Sequence, residues 1–262
     1  TIYPIFTEVL TNKKISVGPP FYNTVIIPIV VIFLFFMSLG PQTKWIKNKF
    51  NNINLLLLIL LGSIFVNFSI SYFFKSYSGL SNFIIISSIF LIIASLKDTF
   101  KLSKNQYINF SRLISHIAFG FLVLFIGLNY NFSQEKDLNL KPGETKKFEN
   151  FSIKFKDLEL RESKNYKAVI GNFEIKDLNN FSEFFLKPEI RIYENPNTLT
   201  YEASIRSGFL SDYYITMSNI DRSNYYNIKF QKKPFMIWIW ISVILISFGG
   251  FLRLFRNANK DY

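Results

Sequence analysis

Two kinds of hydrophobic pattern divide this chain of 262 residues. Long apolar runs occupy about 23–40, 54–74, 82–96, 109–129 and 235–252. A run of about 17 or more apolar residues can cross a bilayer as a helix, because the hydrocarbon core is about 30 Å thick. The third run is shorter than the others but equally poor in charge. The pattern predicts an integral membrane α-helical bundle with about five transmembrane helices.

The segment 131–233 has the alternation typical of β structure. Apolar and polar residues alternate at 148–160, 166–178, 183–195, 200–208, 211–219 and 225–233. Clusters of Gly, Asn, Pro or Ser bound each stretch, as expected for half-buried strands joined by turns. About six strands in ~100 residues predict a small antiparallel β sandwich or barrel-like domain, inserted between the fourth and fifth spans.

The chain is therefore expected to have four parts. Residues 1–22 form an outer-side segment with the end of a preceding helix and a loop. Residues 23–130 carry four transmembrane helices, 131–233 form the β domain, and 234–262 hold the last helix and a cytoplasmic tail. The first residue is Thr1, and no basic leader followed by a short apolar core is visible, so we expect the chain to begin inside a longer sequence.

Basic residues beside the spans predict the orientation. They follow the first, third and last spans: Lys44, Lys47, Lys49, Lys97, Lys101, Lys104, Arg112, Arg253, Arg256 and Lys260. Membrane loops rich in Lys and Arg lie in the cytoplasm. The N-terminal stretch, the 75–81 turn and the β domain are then outside. Trp238 and Trp240, at the outer end of the last span, fit an interfacial aromatic belt.

The net charge of +12 does not indicate a nucleic-acid-binding protein. The segment 131–233 has 17 Lys and Arg against 15 Asp and Glu, and the remainder has 13 against 3, nearly all beside apolar runs. This distribution orients membrane helices and does not form a phosphate-binding patch. The chain has no cysteine, which excludes disulfides and thiolate metal sites within it.

His116, the only histidine, lies inside the apolar stretch "SRLISHIAFGFLVLFIGL", residues 111–128. Ionisable groups at membrane depth generally mark ion paths, proton relays or cofactors, and neutral imidazole is a good haem-iron ligand. The alternative is a histidine that hydrogen-bonds across helices. Arg112 shares its helix face and could hold a haem propionate, or it could anchor the helix at the head groups. Gly120 on this face would admit a flat ring or another helix.

Motifs along nearly the whole chain resemble one family. The opening "TIYPIFTEVLTNKKISVGPPFYN", the "SLGPQTKW" turn at 38–45, the Arg112–His116 pair and "KKPFMIWIWISVILISFGGFL" appear in order. The β segment adds Pro188, Glu189, Arg191, Tyr193, Glu202, Ala203, Ile205, Asp212 and Tyr214. These motifs are similar to the C-terminal portion of CcmF, the haem lyase subunit of the cytochrome c maturation system of bacteria.

The resemblance implies a multi-pass protein of the bacterial inner membrane with its β domain in the periplasm. CcmF-like proteins attach haem covalently to apocytochrome c, receive it from a haem chaperone and act with a thiol-handling maturation partner. His116 falls on the family's axial ligand of a transmembrane haem b. The family's Trp-rich motif, its outer histidines and the second haem ligand are absent, so the resemblance implies a missing N-terminal half, in a fragment or a split-gene product.

The β segment contains neither histidine nor cysteine, so no nucleophile–base pair is expected there. We expect it to be a docking module, with the stretch Pro188–Tyr193 as its contact surface or, alternatively, as an ordinary structural turn. Two other functions fit the same sequence. One is a non-catalytic membrane-anchored scaffold that recruits partners through the β domain, and the other is a transporter-like bundle in which His116 relays protons.

Overall fold

The computed structural model describes residues 2–11, 18–40, 53–74, 79–100, 106–179, 182–219 and 224–258. The chain forms two compact units. One comprises Thr1–Asn131 with Trp238–Tyr262, and the other is Phe132–Ile237. The first unit is helical and the second consists of β-strands, so each is described separately.

The helical unit has six helices within these ranges: α1 Ile2–Thr11, α2 Pro19–Leu39, α3 Ile53–Phe74, α4 Gly79–Phe100, α5 Gln106–Phe132 and α6 Met236–Ala258. The helices α2 to α6 are long and apolar enough to cross a membrane. Helix α2 begins before the predicted position because Gly18 caps it and prolines occupy its first turn, where a missing N–H costs nothing.

The predicted third span, 82–96, is too short. Helix α4 runs from Gly79 to Phe100 and has 22 residues. Its serines do not interrupt it, because Ser87 donates a hydrogen bond to the Phe83 carbonyl at 2.8 Å and Ser88 donates to the Ile84 carbonyl at 2.6 Å. A serine that bonds to its own helix satisfies its hydroxyl without a partner outside.

Several residues used to predict the orientation lie outside the described ranges. They are the basic residues of 41–52 and 101–105, the 75–78 part of the turn, and Lys260. The family-like stretch at 12–17 also lies outside them. Lys97, Arg112, Arg253 and Arg256 are within the described helices.

The β unit is an antiparallel sandwich, so the predicted fold class is confirmed. Its strands are β1 Gln134–Leu140, β2 Thr145–Phe148, β3 Phe151–Glu162, β4 Tyr166–Asp177, β5 Ser182–Leu186, β6 Glu189–Tyr193, β7 Thr198–Glu202, β8 Ser204–Arg206, β9 Ser211–Asn219 and β10 Tyr226–Pro234. One sheet has the order β1-β10-β9-β8 and the other β2-β3-β4-β6-β7, with β5 also paired to β4.

The expectation of about six strands is too low. Strands β1 and β2 were not predicted, since β1 has only Leu138 and Leu140 as buried apolar residues. The stretch 183–195 divides into β5 and β6 around Pro188, which cannot donate to a strand ladder. The stretch 200–208 divides into β7, which ends at Glu202, and β8, which begins at Ser204.

An aromatic core fills the space between the two sheets. Phe155 of β3 stacks on Phe173 of β4 with ring centroids 4.4 Å apart. Phe151 packs against Phe230 of the other sheet at 5.2 Å, and all four rings are at most 1% exposed. Burial of rings of this size is the main apolar contribution to the stability of the sandwich.

Candidate functional site

His116 lies on the face of α5 that meets α2 and α4. The side chain is half-buried. Val123, two turns further along the same face, is buried in a cluster with Ile27 and Leu34 of α2 and Leu91 of α4. The periodicity of the helix therefore directs His116 toward the seam between α2 and α4, away from the outer surface of the bundle.

The space beside Gly120, one turn beyond His116, is filled by side-chain and backbone atoms of α4. A Cβ atom at Gly120 would lie 2.6 Å from Cγ1 of Ile92 and 3.4 Å from the carbonyl oxygen of Ser88. At Gly127 a Cβ would lie 3.2 Å from side-chain atoms of Ile84. Of the two roles expected for Gly120, close approach of another helix is the one observed. The two glycines allow α4 to run against α5.

Helix α6 packs against the opposite side of α5. Ser111 donates a hydrogen bond to the carbonyl of Gly249 at 2.5 Å. A Cβ at Gly249 would lie 2.9 Å from the backbone nitrogen of Ser115, the residue before His116. Phe125 stacks on Trp238 with centroids 5.7 Å apart. The backbone that carries His116 is thus held between α4 and α6.

The small residues that make this contact were not identified from sequence. Ser111 and Ser115 are four residues apart, which is the spacing of small residues at close helix crossings. That spacing could have indicated a contact face, although not the partner helix.

The donor atoms of the chain suit one axial position of a haem. An imidazole on a membrane helix is an ordinary haem ligand, and His116 is the only histidine of the chain. The described residues contain no group of three or more His, Cys, Asp or Glu that could hold a bare metal ion. A single imidazole would suit an iron ion that a porphyrin holds, whereas it would not by itself hold a bare metal ion.

Arg112 lies one turn before His116 on the same face of α5 and is also half-buried. The helix therefore brings the two predicted site residues together, as their spacing requires. Toward the other end of α5 this face lines a cavity of about 260 Å³ between α2, α4 and α5, which sequence reasoning did not identify. Its lining is mainly apolar, with polar groups from Asn23, Ser81 and Tyr130.

In the β unit, the predicted contact stretch forms an arginine–tyrosine stack. Arg191 of β6 donates a hydrogen bond from Nε to Glu189 at 2.8 Å, and its guanidinium lies 4.8 Å from the ring centre of Tyr166. The hydrogen bonds of Arg191 with Glu189 and Tyr193 raise its pKa. Three motif residues, Glu189, Arg191 and Tyr193, thus contact one another along β6, and Arg191 also contacts Tyr166 of β4. Beside the stack lies a polar cavity of about 360 Å³ at the β3–β4 connection.

Glu174 is a buried carboxylate of the β unit that pairs with two lysines. It is 7% exposed and accepts from Nζ of Lys156 at 2.7 Å and of Lys176 at 3.0 Å. These hydrogen bonds lower its pKa from 4.5 to about 2. The ion pair therefore stabilises the fold fully above about pH 4.5, and this contribution is lost as the pH falls through about 2. A carboxylate ionised at neutral pH and paired twice is a structural anchor.

Comparisons with known proteins agree with the motifs. Residues 131–234 match the family model described as CcmF C-terminal beta-sandwich. The cytochrome c-type biogenesis protein CcmF of Pseudomonas fluorescens is 27% identical, with 96% of this chain and 40% of that protein covered. The CcmF of Escherichia coli K12 is 23% identical, with 97% and 40% covered.

A solved structure described as cytochrome c heme lyase CcmF has the same fold. It superimposes with a TM-score of 0.75 at 17% sequence identity, over 96% of this chain and 41% of that one. The chain spans about 40% of the length of the curated relatives it matches. The resemblance to the C-terminal portion of CcmF is confirmed.

Proposed function

Because the chain corresponds to the C-terminal portion of CcmF, we propose that it is part of a cytochrome c haem lyase complex. The complex attaches haem covalently to apocytochrome c on the periplasmic side of the bacterial inner membrane. This segment supplies His116 as one axial ligand of a transmembrane haem b. The family's N-terminal part supplies the second ligand and the haem-handling motif, so this segment alone is not expected to be active.

The observation that carries the proposal is the position of His116. It is the only histidine, and it lies on a membrane helix between two neighbours that hold its backbone through Gly120 and Gly249. A ligand fixed in this way keeps the same orientation during a catalytic cycle. An imidazole without such a role would be an expensive group to retain at this depth.

Haem b, when bound, supplies a one-electron carrier inside the membrane. The residues of the chain orient and shield it. His116 presents a ring nitrogen, and the apolar faces of α2 and α4 exclude water, which influences the reduction potential. Arg112, one turn away, is placed to pair with a propionate through its planar guanidinium fork.

The β unit serves as a docking module for the other participants. These are the haem chaperone, the thiol-handling maturation partner and apocytochrome c. The docking role is supported by the composition of the segment 131–233, which has no histidine or cysteine to perform acyl, thiol or metal chemistry. We place its contact surface at the stretch Pro188–Tyr193, beside the polar cavity lined by Tyr166 and Tyr193.

The test uses the complete protein, with the N-terminal part that its relatives carry. We expect a b-type signal in the reduced-minus-oxidised spectrum, and we expect His116→Ala to lose most of it at equal protein. Ile117→Ala is the matched control, since it changes a half-buried neighbour about 100° around the helix and should keep the signal.

The outcomes separate the candidate functions. Haem that survives His116→Ala unchanged refutes the ligand assignment. A wild-type protein without haem favours the membrane-anchored scaffold. Retention of haem by Arg112→Gln at the wild-type level, including after repeated washing, eliminates the propionate contact but leaves the ligand in place.

A further inference from the structure

An exposed apolar loop joins β8 to β9. Phe209 and Leu210 are 64% and 63% exposed, although most large apolar side chains of the β unit are in its core. The loop has a defined shape. Asp212, only 7% exposed, accepts hydrogen bonds from the backbone N–H of Gly208 at 3.2 Å and from the hydroxyl of Ser207 at 3.3 Å. The carboxylate of Asp212 therefore fixes the backbone of the loop through Ser207 and Gly208.

Gly208 makes this turn possible. A Cβ at this position would lie 2.7 Å from the carbonyl oxygen of Ser211, so a larger residue would open the loop. The two apolar side chains are thus presented by a tightly built turn. Exposed apolar side chains that lie side by side can form a surface that meets a partner or a membrane.

The loop is hydrogen-bonded to Phe235, the residue that precedes α6 in the chain. The backbone N–H of Phe235 donates to the carbonyl of Leu210 at 2.8 Å. Phe235 has a positive φ of 61°, a left-handed conformation that is unusual for a bulky residue and turns the chain sharply. The next residue, Met236, is the first of the apolar span Met236–Leu254. Leu210 is therefore beside the point at which the chain enters the membrane-spanning helix.

Three basic residues lie at this end of the β unit. In the last rows of the sheet, Lys232 pairs with Tyr213 and Lys233 with Asp212, and Arg206 pairs with Tyr213 from the other side. Their charged groups lie over aromatic rings, with Lys232 5.5 Å from the centre of Phe151 and Arg206 4.6 Å from that of Phe184. Basic side chains that lie beside aromatic rings at the end of a domain are well suited to the lipid head-group layer.

From this placement we infer that the Ser207–Leu210 loop is a lipid-binding tip. Phe209 and Leu210 enter the boundary between head groups and acyl chains of the outer leaflet, and the cations beside them meet lipid phosphates. A protein partner would explain the exposed apolar pair but not its place beside the first residue of a membrane span. The contact ties this end of the β unit to the bilayer surface.

The test uses the absence of cysteine from the chain. Leu210→Cys introduces its only thiol, which carries an environment-sensitive fluorophore in the complete protein, with any thiols outside this chain replaced by serine. Leu160→Cys is the matched control, since Leu160 is 79% exposed on β3 near the connection to β4, at the other end of the strands. Both are reconstituted in nanodiscs of phosphatidylcholine and phosphatidylglycerol.

We expect lipids brominated on their acyl chains to quench most of the emission at Leu210 and little of that at Leu160. Aqueous iodide should give the reverse. Equal quenching of both sites by iodide overturns the inference, because the tip is then in water. Shielding of Leu210 from both quenchers also overturns it, because a protein surface then covers the loop.

Discussion

The β unit buries mainly large apolar side chains, whereas the helical unit buries many serines beside its apolar residues. In the β unit, Phe155 and Phe230 are fully buried. In the helical unit, Ser63 and Ser87 are fully buried while Phe65 is 73% exposed. The contrast follows from the solvent. Water drives apolar rings into the core of the sandwich, whereas lipid offers no such drive between helices, which pack through small and polar residues.

The comparison shows which sequence signal is informative in each region. In the β unit an apolar residue at every second position predicts the core. In the helices nearly every position is apolar, so the residues that identify a contact face are serines and glycines. The following substitutions test that difference, in order of decreasing effect.

Phe155→Ala should have the largest effect. Its ring is fully buried and stacked on Phe173, so we expect the free energy of unfolding of the β unit to fall by about 3–5 kcal/mol. Urea denaturation followed by proteolytic protection of the β unit measures this loss.

Phe185→Ala is the control in the same β sandwich. Phe185 lies on β5, is 56% exposed and contacts Lys156 by a cation–π interaction, so its ring is not part of the core. This substitution should cost no more than about 1 kcal/mol. An equal decrease in the free energy of unfolding for Phe155→Ala and Phe185→Ala would mean that burial of aromatic rings in the core does not stabilise the β unit.

Gly249→Leu should have an intermediate effect on the helical unit. The new side chain would collide with the backbone of Ser115, so we expect a loss of about 1–3 kcal/mol from overpacking. Thermal unfolding of the protein in detergent, followed by intrinsic fluorescence, measures it. At the adjacent Gly250 a Cβ would meet no atom within 4 Å, and Gly250→Leu should leave the transition unchanged.

Asn67→Leu should have the smallest effect, and of opposite sign. The side chain is 1% exposed, and its Oδ1 has no hydrogen-bond partner among the residues that the structure describes. Replacing a buried unsatisfied oxygen with an apolar group of similar size should stabilise the helical unit by about 1 kcal/mol.

The same thermal measurement gives the control for this polar position. Asn82→Leu removes an acceptor of the Ser71 hydroxyl and should lower the transition. If Asn67→Leu also lowers the transition, then Asn67 has a hydrogen-bond partner beyond the residues that the structure describes.

Local pattern was sufficient for much of the fold. Alternation placed β4, β9 and β10 within a residue or two, and the apolar runs placed the five spans. Strands β1 and β2 were missed because charged residues dominate them and their pairing partners, not their own pattern, keep them in the sheet. The prediction for α4 was too short because Ser81 near its start and Lys97, Asp98 and Thr99 near its end are polar, whereas the helix extends beyond the apolar run at both ends.

For the candidate site, sequence singled out His116 and Arg112 because two ionisable residues on a membrane helix are unusual and their spacing puts them on one face. It could not show that Gly120 receives Ile92, or that Arg191 stacks on Tyr166. The tertiary structure alone decided these contacts, and also the contact of Ser111 with Gly249, 138 residues away. The physical reason is that periodicity reports which face of an element is buried, whereas the partner depends on how the chain returns to that face.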